Sequence, residues 1–473
     1  MWHEQLFNIL NAINNVVLTL IGIPFMIQII FMLFGWLRKK KFPKSEKKNR
    51  ICILFAARNE EDVIKRTISR IFERQKYDKN LYDVYVVAHN CTDKTAEFAR
   101  MAGATVFEYS DPNPKTHRLA YAIKYGFKKV LEQDKKYDFL IRLDADNFIN
   151  DEFLDVMNDA YNAGVKLGRP YESALNITQN KYTKASGLYY AYDSRFASRV
   201  RERFHLAAHI NGPGAMFAMD LVEKYGYDAE GLSDDSEYLA NRMLNKVYGH
   251  FVEDAVVYED LPSTFKDTYA RNKRMGYGVS RLFFTHGFRL LGKFFTTFNF
   301  SFIEVFFQFY FCVICAVLCT YIPIYYIYDI TYLALAGTGV IETTLQSASY
   351  YMGVLEQTGI IVAIALSVLF AFAGILQAFL LVMSDYKKLG AKSRKELMSG
   401  IIIYPCFVVV YCLTLFLGIV SRPSWNKVNR NKIYNNFDNE KEGEEKWCKR
   451  LVLKIDITMF YMVLAGKLII LMQ

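Results

Sequence analysis

Long apolar stretches frame one long polar interval, and this alternation constrains the chain more than any other feature. Ile9–Phe34, Phe302–Ile327, Ile360–Met383 and Gly400–Val420 are each apolar and long enough to cross a hydrocarbon layer of ~30 Å. Between the first and second of them, from Ile51 to about Gly287, the chain is polar and alternates between strand and helix signals. Such a chain belongs partly in water and partly in lipid. Its composition agrees: of 473 residues, 52% are hydrophobic and 16% aromatic, yet 22% are charged. The expected units are an N-terminal anchor over 1–37, a basic linker over 38–50, and an α/β domain over 51–287. Transmembrane and interface helices follow over 288–420, then a tail over 421–473 that lies on the membrane or crosses it.

The formal net charge is +10, and the lysines crowd beside apolar runs. Arg38, Lys39, Lys40, Lys41, Lys44, Lys47, Lys48 and Arg50 follow the first run directly. That is the pattern of a cytoplasmic membrane flank, and such a flank also attracts anionic lipid. No nucleic-acid recognition motif accompanies the charge, so no nucleic-acid partner is expected. The first run has no basic leader and no small-residue cleavage site, which favours a retained anchor over a signal peptide. The segment Asp385–Leu397, with Lys387, Lys388, Lys392, Arg394 and Lys395, is also expected inside. Arg422, Lys427, Arg430 and Lys432 pull the end of the last run inside too, although one anchor and three later spans would leave it outside. Either one candidate is not a full crossing or a further span is hidden. Of the eight cysteines, Cys312, Cys315, Cys319, Cys406 and Cys412 sit in apolar runs as small hydrophobes. Cys52, Cys91 and Cys448 are scattered without a C-x-x-C pair, so neither zinc nor a disulfide framework is expected.

Within the polar interval, Ile51–Ala57, Tyr82–Ala88, Ala104–Phe107 and Phe139–Leu143 read as buried strands. Helical spacing covers Glu61–Phe72, Lys94–Met101 and His117–Leu131. This rhythm predicts a mostly parallel sheet with helices on both faces, whose ligands bind beyond the carboxyl ends of the strands.

Polar clusters fall at those ends. Asp144-Ala145-Asp146 follows a buried strand, where two carboxylates can hold a hard divalent cation whose other ligands are diphosphate oxygens. The plain alternative is a turn or helix cap. Leu232–Leu239 contains Ser233, Asp234, Asp235 and Glu237, which reads either as a capped helix start or as the source of a general base. Arg271–Gly278 carries Arg271, Lys273 and Arg274, suited to a diphosphate or simply to a membrane flank.

Taken together and in order, Ala56–Glu61, Val86–Asp93, Asp144–Asn147, Ser233–Glu237 and Tyr258–Pro262 resemble family-2 glycosyltransferases of the membrane-bound bacterial polysaccharide-synthase type. Cellulose, hyaluronan and poly-N-acetylglucosamine synthases are of this type. The resemblance covers roughly Ile51 to Gly278. It implies a GT-A nucleotide-sugar-binding fold and inverting transfer from a nucleotide-sugar, with uridine as the base, assisted by Mg2+ or Mn2+. It places Arg58, Glu60, His89, Asn90 and Asp93 at the nucleoside, and Lys115, His117 and Arg118 in a basic patch near the sugar nucleotide. It places Asp144 on ribose or diphosphate and at the metal, Asp146 at the metal, and Arg274 at the diphosphate. Asn211, Gly212, Pro213, Gly214, Asp234 and Met275 would line the acceptor site, and Asp235 would be the general base.

Three positions depart from the family pattern. His89 replaces an Asp that accepts a hydrogen bond from uracil, although a neutral imidazole nitrogen also accepts. Arg271 and Met275 replace the Gln and Trp of Gln-x-x-Arg-Trp, a Trp that supports the acceptor sugar in processive synthases. Three readings follow. The first is glycan extension at the cytoplasmic face of the plasma membrane, with the spans as a conduit. The second is transfer to a membrane lipid, and the third a catalytically inactive assembly subunit. The sequence specifies neither sugar, linkage, acceptor nor oligomer.

Overall fold

The computed structural model describes residues 2–113, 116–341, 353–354, 356–357 and 374–421. It begins with a long helix, α1 (Trp2–Phe34). The basic linker after it is laid along the domain. Lys39 pairs with Asp254, Lys40 Nζ lies 2.6 Å from Glu202 Oε1, and Lys48 pairs with Asp155. Acidic side chains of the domain thus engage these three lysines.

The domain runs β1 (Ile51–Ala57), α2 (Ile64–Arg74), β2 (Tyr82–His89), α3 (Thr95–Met101), β3 (Thr105–Tyr109), α4 (Leu119–Leu131) and β4 (Phe139–Asp144). It continues through β5 (Phe148–Ile149), α5 (Phe153–Asn162), β6 (Leu167–Ala174), α6 (Lys181–Tyr192) and α7 (Arg199–Arg203). It closes with β7 (Met216–Ala218), α8 (Met219–Tyr225), α9 (Asp234–Leu244), β8 (His250–Glu259) and α10 (Phe265–Leu282). The third strand overlaps its expected position and runs on to Tyr109, and the fourth takes in Asp144. The strands form one sheet in the order β3-β2-β1-β4-β7-β6-β8-β5. Pairing is parallel from β3 to β4 and between β6 and β8. Because β7 is antiparallel to both β4 and β6, β6 and β8 point the same way as β1 to β4. The mostly parallel sheet is thus as expected, with β7 and β5 opposed.

Side-chain alternation along β1 sets the layers. Ile51, Ile53 and Phe55 pack with Ile64, Ile68 and Ile71 of α2, which recur at helical spacing. Cys52, Leu54 and Ala56 pack on the other face with Ile123 and Phe127 of α4. A strand buried on both faces has no polar side to show, hence the unbroken apolar run. Each such aliphatic side chain contributes about 1.5–3 kcal/mol by leaving water.

Beyond the domain come α11 (Phe288–Thr297), α12 (Phe300–Cys319), α13 (Tyr321–Gly337), α14 (Gln377–Asp385) and α15 (Met398–Val420). Among the described residues, 3 helical stretches are long and apolar enough to cross a membrane: Gln5–Pro24, Phe300–Gly337 and Arg394–Val420. The expected span Phe302–Ile327 is broken at Thr320, and helix continues well past it. Pro323 explains the break, since it has no N–H to carry α12 onward but suits the first turn of a new helix. Most of the candidate Ile360–Met383, and the tail with Arg422, Lys427, Arg430 and Lys432, lie outside the described residues.

Close contacts fix the apolar helices to the domain. A Cβ at Gly276 would lie 2.3 Å from the Leu415 carbonyl oxygen, and one at Gly418 2.3 Å from that of Lys273. Backbone therefore meets backbone where α10 crosses α15. Glu304 of α12 accepts from Arg201 Nε and meets His209 Nε2, each at 2.7 Å. The basic loop after α14 returns to the domain, with Lys388 Nζ 3.0 Å from Glu253 Oε1.

Candidate active site

The carboxyl ends of β1, β2 and β4 lie side by side, and the loops leaving them converge. After β1, Asn59 adopts the left-handed conformation (φ 56°), and its Oδ1 accepts from Thr92 N at 2.8 Å. The Glu60 N–H donates to Thr95 Oγ1 at 2.7 Å, and Asp93 accepts from the Thr95 and Glu61 backbone. After β2, Asn90 is again left-handed (φ 49°), with Oδ1 accepting from Asp111 N at 2.8 Å. Asn tolerates this conformation and bonds locally, so the two turns hold Arg58, Glu60 and Asp93 on one rim.

His89 lies beneath that rim. It is 3% exposed, stacked on Tyr109 at 5.0 Å between centroids, and edge-on to His117. Burial, then the charges of Arg58 and His117, push its pKa down to about 4, so the ring is neutral at physiological pH. Its Nε2 sits 3.1 Å from Asn90 Nδ2. With the amide as donor, Nε2 accepts and the proton resides on Nδ1. The acceptor nitrogen expected for uracil is thus already engaged. Arg118 Nη1 donates to the Glu230 carbonyl at 3.0 Å, tying α4 to the loop before α9. Lys115 lies outside the described residues.

At the end of β4, Asp144 Oδ1 accepts from Arg142 Nη2 at 2.8 Å. Asp146 is buried in the turn that follows. Glu259 at the end of β8 is clasped by Arg271, whose Nη2 lies 2.9 Å from Oε1 and 3.0 Å from Oε2. Burial raises the Glu259 pKa against the pull of Arg271, and the charges of Asp146 and Asp144 raise it further. Arg274 lies in the same field, its pKa lowered by burial and by Arg271 while Asp234, Glu259 and Asp144 oppose that. Among the described residues no group of three or more His, Cys, Asp or Glu is arranged around a metal position. Asp144 and Asp146 supply two carboxylates. That fits a cation whose remaining ligands are substrate phosphates and water, as Mg2+ usually takes.

On the acceptor side, the loop Asn211–Gly214 lies against Arg142. A Cβ at Gly212 would fall 1.7 Å from Arg142 Nη1, so any side chain here displaces the guanidinium. Gly214 takes φ +70° and donates its N–H to the Arg142 carbonyl at 2.9 Å. The Gly212 N–H donates to Asp235 Oδ2 at 2.9 Å, and Asp235 Oδ1 accepts from Ser236 N at 2.7 Å. Asp234 accepts from Tyr227 OH at 2.7 Å and is buried, which raises its pKa, as does Asp235 beside it. Glu237 accepts from the Gly231 and Glu230 N–H groups at 2.7 and 3.1 Å, so it organises the loop before α9. Ser233, expected as a side-chain cap, makes no capping bond. Its Oγ lies against α10, 2.2 Å from where a Cβ on Gly278 would sit. Met275, half-buried on α10, packs with Phe407, Tyr411 and Leu415 of α15 and Ala185 of α6.

Four participants carry no sequence signal of their own. Arg142 and Glu172 look like ordinary strand residues, Tyr227 precedes the acidic cluster, and Tyr190 lies under Arg271 at 5.1 Å. Glu172 Oε2 accepts from Asn211 Nδ2 at 3.1 Å, and burial pushes its pKa up to about 7 against the charge of Arg169.

Comparison with solved structures bears on the fold. A mannosyltransferase of Pyrobaculum calidifontis, in complex with GDP-Man and Mn2+, superposes with a TM-score of 0.50 at 15% identity, covering 84% of this chain and 98% of that one. Glucosyl-3-phosphoglycerate synthase of Mycobacterium tuberculosis, in complex with Mn2+, UDP and glucosyl-3-phosphoglycerate, covers 48% of this chain and 78% of that one at 14% identity and a TM-score of 0.32. TarS of S. aureus covers 49% of this chain and 39% of that one, at 13% identity and a TM-score of 0.31. No curated protein matches the chain. Residues 139–341 match the family model described as glycosyl transferase family group 2. That stretch holds Asp144, Asp146, Asp235 and Arg274, and on a GT-A fold it identifies a family-2 glycosyltransferase domain within this chain.

Proposed function

We propose that the chain transfers a sugar, with inversion, from a nucleoside-diphosphate sugar to a glycan at the cytoplasmic face of the plasma membrane. One observation carries this reading. Asp144, Arg142, Gly212 and Asp235 form an unbroken line of contacts from the donor end of the site to the acceptor end. In this reading Arg58, Glu60, Asn90 and Asp93 face the nucleoside, Asp144 and Asp146 hold the divalent cation, and Arg274 faces the diphosphate. Asn211 to Gly214 offer the acceptor loop. The cation, when bound, neutralises charge on the departing diphosphate.

Asp235 takes the proton of the acceptor hydroxyl as that oxygen bonds to the anomeric carbon and the bond to the diphosphate breaks. Both of its oxygens accept a backbone N–H, which fixes the carboxylate without exhausting its lone pairs. UDP-sugar is the donor that the family resemblance suggests. The engagement of His89 Nε2 by Asn90 makes GDP-sugars the necessary comparison. A second reading, transfer of one or a few sugars to a membrane lipid, is favoured by Met275. Its packing against α15 leaves no aromatic platform at that position to hold a growing chain.

Purified full chain, incubated with labelled UDP- and GDP-sugars and a divalent cation, tests the reading. Labelled product is expected, and its size separates polymer from glycolipid. Absence of donor turnover with every sugar would instead indicate an inactive assembly subunit.

A further inference from the structure

The loop that holds the proposed base opens one polar side chain to solvent, and the transfer reading assigns that side chain no bond. From Ala207 to Met219 every residue is buried except Asn211 and Pro213, which are half-buried. Of these two, only Asn211 hydrogen-bonds through its side chain. It directly precedes Gly212, whose N–H donates to Asp235, so its amide stands one residue from the proposed base. Glu172 Oε2 accepts from Asn211 Nδ2 at 3.1 Å. A carboxylate has no proton to give, so the nitrogen end of the amide faces it and Oδ1 is the end left over. Among the described residues Oδ1 makes no hydrogen bond.

Glu172 is itself held from behind. Arg169, fully buried, sets Nη2 3.3 Å from Glu172 Oε1, and the Glu172 N–H donates to Ser194 Oγ at 3.2 Å. Arg169 Nη2 in turn lies 2.7 Å from Asp193 Oδ2, while its Nη1 donates to Ser198 Oγ at 2.9 Å. Asp193, Ser194 and Ser198 all belong to a π-helical stretch, 193–198, between α6 and α7. Its wider turn brings residues five apart over one another, so Asp193 and Ser198 reach the same guanidinium. Such turns are rare and gather at functional sites. This one builds the footing of Asn211.

We propose that Asn211 reads the acceptor and that Glu172 is its positioning residue. Asn211 Oδ1 accepts from a hydroxyl of the acceptor that neighbours the one deprotonated by Asp235. The acceptor is then a sugar with adjacent hydroxyls, whether a glycan end or the headgroup of a glycolipid. A lipid ending in phosphate does not fit. At neutral pH its oxygens chiefly accept, so they would meet Asn211 Oδ1 and Asp235 with like polarity. The assignment rests on the transfer reading and adds to it the class of acceptor.

Octyl glycosides of common hexoses and N-acetylhexosamines, their monodeoxy analogues and a polyprenyl phosphate serve as acceptor probes. Purified full chain is assayed with labelled UDP- and GDP-sugars in alkaline buffer, above the Glu172 pKa of about 7. Arg169, Asp193 and Glu259 are the charged groups that face Glu172 and set that value alongside burial. Wild type should transfer to a glycoside and not to the phosphate. One deoxy analogue should lower kcat/KM about ten-fold or more. Asn211→Leu should lower it equally for the parent glycoside and no longer sense that deoxy change. Asn211→Asp alone sets two carboxylates face to face and should fail. Asn211→Asp with Glu172→Gln restores the bond in reverse and should recover most transfer, and nucleotide affinity checks that each variant folds. Equal use of a glycoside and all its deoxy analogues, or an undiminished deoxy penalty in Asn211→Leu, would overturn the role of Asn211. A swapped pair no better than Asn211→Asp would remove Glu172 from its role, and preferred transfer to polyprenyl phosphate would overturn the acceptor class. Absence of donor turnover with every probe is a distinct result, which would sink the transfer reading and this assignment with it.

Discussion

Glu172 shows how much of the site is held by residues that bind nothing. It sits beneath Asn211, beside Arg169 and within reach of the charges of Asp193 and Glu259. Its carboxyl is raised by burial from an ordinary 4.5 to about 7. Between those values the folded chain keeps a proton that the unfolded chain has released, so stability falls as pH rises and levels off above. The full swing is about 3 kcal/mol. Glu172→Gln removes this slope. Relative to wild type, the variant's unfolding midpoint should rise between about pH 5 and about pH 8. A constant gap between the two would show that Glu172 does not titrate there. Asp146 belongs to the same scale. If it holds the cation under the diphosphate, Asp146→Ala should abolish metal-enhanced donor binding in isothermal titration with manganese. Unchanged metal-enhanced binding would remove it from that role.

At the scale of elements, the strands were legible because burial on both faces leaves unbroken apolar runs, as in Ile51–Ala57. The acidic and basic clusters were legible because packing a sheet rarely requires charge gathered at its strand ends. Arg142 was not, because a single arginine in Phe-Leu-Ile-Arg-Leu-Asp has no pattern until Gly212 is seen lying on it. The break at Thr320 was hidden for a similar reason: Pro323 sits inside one continuous apolar stretch, and hydropathy does not register a missing N–H. The packing of Met275 depends on α15, more than a hundred residues away in sequence. The α10–α15 crossing depends on Gly276 and Gly418 having no side chains. Gly276→Val should push these backbones apart, costing about 1–3 kcal/mol. The expected readout is a midpoint several degrees lower in detergent, together with a loss of donor turnover, since α10 carries Arg271 and Arg274. An unchanged midpoint would show that the helices do not meet there.

At the scale of the whole molecule, the domain is bound to its apolar helices by buried charge as well as by packing. Glu304 of α12 is gripped by Arg201 and His209, and Asp385 at the end of α14 pairs with Arg195. Breaking such a pair strands a buried charge, so these contacts resist separation of the parts. The proposed orientation puts the domain in the cytoplasm. Cysteines introduced at exposed domain positions should stay unlabelled by an impermeant reagent on intact cells and become labelled after permeabilisation. Strong labelling of intact cells would reverse the orientation.

The central claim is that Asp235 removes the acceptor proton in a sugar transfer whose donor is held elsewhere. Asp235→Asn keeps the size of the side chain and its acceptor oxygen for Gly212 while abolishing the base. Initial rates of labelled-sugar transfer and nucleotide affinity, measured on wild type and this variant side by side, test the claim most directly. The account predicts unchanged donor and metal affinity with transfer reduced by about 10²–10⁴-fold. Near wild-type transfer by a folded Asp235→Asn protein would contradict it.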